Sequence, residues 1–123
     1  MPSKDAHLKK AHHNESFVQD LDVGKTSYKD WAVVGLFYAA LHYLDAYLAQ
    51  KNTHPISHEG RDGWIKNLTE LYSIYKDYRE LKEYRMDVSY KLIEYTEAEI
   101  NRDIKPHLRS IKAQLNRLES SIV

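Results

Sequence analysis

Arg85 is the residue whose chemistry most needs an explanation. Leu71, Ile74, Tyr78, Leu81, Arg85, Val88 and Leu92 step by three and four, which is one face of a helix, and Arg85 is the single charge on that face. A guanidinium among apolar neighbours needs a carboxylate or an opening toward an anion. Left uncompensated, a buried charge costs several kcal/mol, comparable with the stability of a whole domain. Asp45 is the candidate partner. Asp87 is nearer in the chain but points elsewhere on a regular helix. The outcome is either a core ion pair, or an arginine that snorkels at the end of a bundle, or a guanidinium presented to a ligand.

A second constellation lies in WAVVGLFYAALHYLDAYLAQ, Trp31 to Gln50. Trp31, Gly35, Tyr38, His42, Asp45 and Ala49 share one helical face, so Tyr, His and Asp form a polar edge on the most apolar segment. A histidine held by an aspartate is one way to build a general base; the alternative is a core histidine with a satisfied hydrogen bond. His54, His58 and Arg61 form a third group. His54 and His58 are four apart, but Pro55 between them argues against a shared helix face, and no HExxH pattern exists. His7, His12 and His13 read as solvated surface, since adjacent helical residues diverge by about 100°. No metal site and no cofactor is expected from these spacings. Arg102, Lys105, Arg109 and Lys112 make a basic row at 3,4,3 spacing that could track phosphates, with solvated surface the expected reading.

These residues need helices to position them. The central run is too long for a strand, and Ser27 with Asp30 three residues on offers a start. Before it, Ser3 to about Leu21 reads as a helix with a partial stripe of Leu8, Ala11, Val18 and Leu21, broken by Glu15. Asp22 to Thr26, with Gly24, is a turn. After it, NTHPISH is a loop, and Ser57 caps a short helix from His58 to about Leu68 that carries Gly60 and Gly63 and is expected to anchor through Trp64. Six of the ten tyrosines fall between Tyr72 and Tyr95, which suits a packed but partly polar surface such as a subunit interface. Thr96 and Glu99 form a capping box, stapled by Tyr95 and Ile100. The stripe Ile100, Ile104, Leu108, Ile111, Leu115, Leu118 and Ile122 follows, with Pro106 set to kink the helix or move its start to about residue 105.

With 123 residues and no visible repeat, the chain is expected to form one domain, residues 1–123. Its class is all-α, an up-and-down bundle of four main helices and one short one. Lys plus Arg and Asp plus Glu are equal at 18, so no net field draws nucleic acid or an anionic membrane. Cysteine is absent, which excludes disulfides and thiolate zinc sites and makes a reducing cytoplasm the simplest compartment. The N-terminus lacks an apolar signal core, and His42 and Asp45 inside the apolar run argue against a membrane span.

FYAALHYLDAYLA, from Phe37, together with YRMDVSY, from Tyr84, resembles the HEPN superfamily of small helical bundles. The resemblance runs from about Leu8 to about Leu115. It implies homodimerisation that brings two Arg-centred motifs together. Members of that family include metal-independent ribonucleases, such as toxins paired with nucleotidyltransferase antitoxins, and non-catalytic nucleotide-binding or interaction modules. In the Arg, four to six residues, His motif, Arg85 matches the arginine and Tyr90 stands where histidine is expected; Met86 replaces the usual polar neighbour, with Asp87 after it. A tyrosine of pKa about 10 is ionised to only about one part in a thousand at pH 7, so Tyr90 is a poor base. His42 or His58 would have to serve instead. The resemblance thus gives Arg85, Tyr90 and His42 as candidate catalytic residues, and Tyr38, Asp45, His58, Arg61 and Asp87 as candidate binding residues.

The expected function is a homodimeric, non-catalytic module that binds a nucleotide, RNA or a protein partner around Arg85. The alternatives are a metal-independent endoribonuclease and a purely structural interaction bundle.

Overall fold

The helix richest in apolar residues is the one the others cover. α2, Lys29–Gln50, buries Ala32, Val33, Leu36, Phe37, Ala39, Ala40, Leu41, Leu44 and Leu48 on several faces, against α1 (Lys4–Leu21), α4 (Tyr72–Tyr90) and α6 (Lys105–Ser120). α3 (His58–Asn67) lies on α4, and a single turn, Thr69–Leu71, joins the two. In the computed structural model, residues 2–120 are described; they form an all-α bundle without a strand. α2 is long and apolar enough to cross a membrane by length and composition, but 78% of that apolar window is buried by the bundle itself. Ile122, the last residue of the predicted apolar stripe, lies outside the described residues.

Three helix starts follow from their capping residues. Ser3 Oγ accepts from the Ala6 amide and Ser57 Oγ from the Gly60 amide, each satisfying an orphan donor of a first turn. Thr96 and Glu99 form the expected capping box at the start of α5, Glu97–Glu99. The chain continues through a π-helical turn, Ile100–Ile104, into α6 at Lys105. The Lys105 amide bonds to Ile100 O, five residues back. This widened turn takes up the slack at Pro106, which has no N–H to give and whose ring would crowd the preceding turn.

Three expectations change. Ser27 does not cap α2: the helix begins one residue after Tyr28, whose amide is held by Thr26 Oγ1 at 3.0 Å, so the local Thr turn sets the start. Trp64 does not anchor α3. It is 46% exposed, and Arg61 and Ile65, four residues apart, face inward instead. Leu92 is not on the buried stripe, because α4 ends at Tyr90. Leu92 instead has φ 56°, with the Ile93 amide bonded to Asp87 O, and its side chain is 82% exposed. A bulky residue in this left-handed conformation costs roughly 1–2 kcal/mol.

Two polar clasps tie α6 to the other helices. Glu15, read from sequence as a break in the α1 stripe, accepts from Tyr43 Oη of α2 and pairs with Lys112 of α6 at 2.9 Å. Asp77 of α4 accepts from Ser110 and Gln114 of α6 and lies 2.8 Å from His107 Nδ1.

Gly35 sets the closeness of α1 and α2: a Cβ there would stand 2.7 Å from Val18 Cγ2, on a stiff β-branched side chain. Gly63 has nothing within 4 Å of the same position. Replacing either by alanine gains up to about 1 kcal/mol of helix propensity, but overpacking costs typically about 1–3 kcal/mol. Urea denaturation is therefore expected to show Gly63→Ala stabilised by roughly 0.5–1 kcal/mol and Gly35→Ala destabilised.

Candidate functional site

The polar edge of α2 becomes a seam between four segments. α1 brings His7, α2 brings Tyr38, His42 and Asp45, the loop and α3 bring His54, His58 and Arg61, and α4 brings Tyr78, Arg85 and Tyr90. Two arginines reach this seam, and they meet different fates.

Asp45 is not the partner of Arg85. It pairs with Arg61, whose Nε donates to Oδ1 at 2.7 Å and whose Nη2 donates to Oδ2 at 2.9 Å. Both side chains are below a tenth exposed. Burial works against the Arg61 charge, but the hydrogen bonds and charge of Asp45 outweigh it and raise its affinity for the proton. The buried Tyr78 hydroxyl faces the same guanidinium without the alignment of a hydrogen bond, and burial pushes its proton affinity up. Geometry decides the competition for Asp45. A capped helix start at Ser57 puts Arg61 on the inner face of α3, where a bidentate fork can form.

Arg85 is left with aromatic neighbours. Its guanidinium carbon lies 5.3 Å from the Phe37 ring centre, 5.4 Å from that of Tyr38 and 5.8 Å from that of Tyr90. Those are cation–π distances. The side chain is half-buried, and among the described residues no carboxylate lies within ion-pair reach of it. Tyr90, the last residue of α4, is 66% exposed, so one wall of this frame is open to solvent. Asp87 is occupied elsewhere, accepting from Tyr95 Oη at 2.7 Å and facing Lys91. Four clefts of about 260–630 Å³ among the described residues are lined by none of Arg85, His42 and Tyr90.

His58 stands between the two arginines. Its ring packs on Phe37 with centroids 6.1 Å apart, and burial, then Arg61 and Arg85, lower its proton affinity. Its Nδ1 is buried without a hydrogen-bond partner.

His42 does not face Arg85. Its Nδ1 lies 3.1 Å from Nδ1 of His7, with the rings tilted by 31°. His7, expected on solvated surface, is therefore a member of the site. Its place was legible in one respect: His7 lies four residues before buried Ala11 and eleven before buried Val18, on the inner face of α1. Phe37 was missed because nothing distinguishes it from the other core residues of α2. Of the basic row, Arg102 pairs with Asp103 and Lys112 with Glu15, while Lys105, Arg109 and Lys112 line one cleft together with Glu15.

Breaking a buried pair leaves a bare charge, so Asp45→Ala should cost about 3–5 kcal/mol in urea denaturation; replacing both partners by Leu and Met should recover most of it. pH acts through the imidazoles. Burial is the main reason that His7, His42 and His58 all titrate below 6.5, helped at His42 by His7 and opposed at His7 and His42 by Asp45. Below 6.5 the unfolded chain therefore binds more protons than the folded one. Stability is full above that value and is lost as pH falls through the depressed folded values. In EDTA-containing buffers from about pH 8 to about pH 5, the melting temperature should fall with acidification, and His58→Gln should flatten part of the slope.

No protein-family model, no curated protein and no solved structure matches this chain.

Proposed function

We propose that the chain is a HEPN-like homodimeric module that binds a nucleotide or a short single-stranded RNA through Arg85, without cleaving it. One observation carries this reading: a half-buried guanidinium with no carboxylate partner among the described residues, framed by Phe37, Tyr38 and Tyr90. An arginine so placed keeps its donors for a phosphate, which it can grip in bidentate fashion. The exposed Tyr90 ring beside it offers a stacking surface for a base, an interaction worth roughly 1–3 kcal/mol per base. In this role tyrosine at the motif's histidine position serves binding, where it would be a poor base.

Homodimerisation is supported by the surface around that frame. Trp31 is 54% exposed on the α2 face that carries Tyr38, and the start of α2 borders the segment that carries exposed Leu92 and Ile93. Leu92 holds a costly backbone conformation to present its side chain outward, as a residue that gains burial from a second chain would. Two such faces together would wall the open side of the frame. A nucleotidyltransferase-type protein is the partner that the HEPN resemblance brings with it, and the cytoplasm the compartment.

A second reading has one specific observation in its favour. His58, neutral near pH 7 and beside Arg85, has the character of a base for a 2′-hydroxyl, which would make the protein a metal-independent ribonuclease.

Fluorescence anisotropy with labelled oligouridylate in EDTA separates these readings. Arg85→Ala should weaken binding at least ~10-fold, with a melting temperature close to the parent's, since a cation–π contact that solvent still reaches is worth only about 1 kcal/mol. Light scattering should give twice 14.5 kDa. Unchanged binding in Arg85→Ala sinks the proposal; cleavage that disappears in both Arg85→Ala and His58→Ala transfers it to the ribonuclease.

A further inference from the structure

A second site, independent of the Arg85 frame, lies at the other end of the seam. We propose that His7, His42 and Asp45 form a binding site for a single divalent transition-metal ion, with Zn²⁺ the preferred occupant.

The donors converge from two helices. His42 and Asp45 are three residues apart on α2, so they share a face one turn apart. His7 reaches them from α1. The three donor atoms all lie within 4.8 Å of one another. The two Nδ1 atoms are 3.1 Å apart. Two imidazole nitrogens on a tetrahedral Zn²⁺, at bond lengths of about 2.0–2.1 Å, are separated by about 3.3–3.4 Å. The observed spacing is therefore within a few tenths of an ångström of a ligand edge.

The supports are already in place. Gly35 lets α1 close on α2, and Ala11, one turn after His7, is fully buried, so the two helices hold their register. Donors on packed helices are held more closely than donors on loops. Arg61 grips the Asp45 carboxylate in both of its oxygens, which fixes the orientation of the group. Each carboxylate oxygen has two lone-pair sites, and Arg61 takes one of each, so capacity for a cation remains. Metal-ligating carboxylates are usually hydrogen-bonded by such outer partners.

The set also selects its ion. Two imidazoles and one carboxylate suit Zn²⁺ and its first-row neighbours; Mg²⁺ and Ca²⁺ demand more oxygen ligands than are present. Three protein ligands leave a fourth position, and His7 and His42 are only half-buried, so water can reach it. His54 borders the group closely enough for its charge to act on His7, and its buried Nδ1 has no partner. The competing arrangement is a direct His7–His42 hydrogen bond, with one ring donating to the other and no ion between them.

The test uses the full chain without an affinity tag, stripped by EDTA and desalted, titrated with Zn²⁺ against a chromophoric chelator. The expected result is one Zn²⁺ per chain, with His7→Ala weakening uptake at least ~100-fold and His12→Ala, a control at an exposed histidine of the same helix, leaving it unchanged. Co²⁺ in the same site should show the visible bands of a four-coordinate ion. Should His42→Ala fail to fold, His7→Ala, in the first turn of α1, answers alone once circular dichroism shows native helicity. The proposal is overturned if the parent chain takes up no stoichiometric Zn²⁺ at concentrations on the order of 100 µM, or if uptake is the same in His7→Ala.

Discussion

Two guanidinium groups approach the seam along α2, and the seam's buried ion pair takes only one of them. The Asp45–Arg61 pair, bidentate and almost fully out of solvent, decides how the rest of the face is arranged. A carboxylate in so apolar a helix is tolerated only with such a partner, because desolvation of either ion alone costs more than a surface interaction returns. By pinning α3 against α2, the pair also fixes His58 beside Phe37. By using the carboxylate, it leaves Arg85 to the aromatic rings. That Arg85 has no carboxylate among the described residues is thus a consequence of the satisfied arginine.

Along the seam, charge and polarisable rings alternate at helical spacing. Tyr38 lies by the Arg85 frame, His42 one turn on meets His7, and Asp45 after it meets Arg61. Each α2 residue of the edge therefore faces a different segment of the chain, and the polar edge acts as a spine shared by distinct small sites. The open-sided Arg85 frame and the exposed Trp31 and Leu92 belong to the outer end, where the proposed second chain would add a wall. The histidine pair belongs to the inner end, between α1 and α2, where the helices already meet closely.

The helices themselves could be read from residue types. Ser3, Ser57 and the Thr96–Glu99 box cap where their chemistry predicts, and Pro106 displaces the α-helical start to Lys105. The stripe from Leu71 to Val88 is buried apart from its arginine, and only Leu92, beyond the end of the helix, departs from it. The pairings were less legible. Periodicity places a residue on a face but does not say which neighbour occupies the opposite face. Asp45 was therefore assigned to Arg85, and the inward turn of α3 that gave it to Arg61 instead depended on Ile65 rather than Trp64 being the anchor. His7 was discounted for lying near the paired histidines His12 and His13, although its own heptad position faces the core. Local spacing carried the elements, and tertiary choice among chemically similar partners carried the site.

The central claim is that Arg61 is spent on structure while Arg85 is free for phosphate. The most direct measurement is an NMR titration of the arginine Nε–H resonances with a mononucleotide. Arg61 should appear as a sharp, slowly exchanging signal that does not move, and Arg85 should shift in a saturable way with increasing nucleotide. A shift at Arg61 with Arg85 unmoved, or no saturable shift at either, would contradict it.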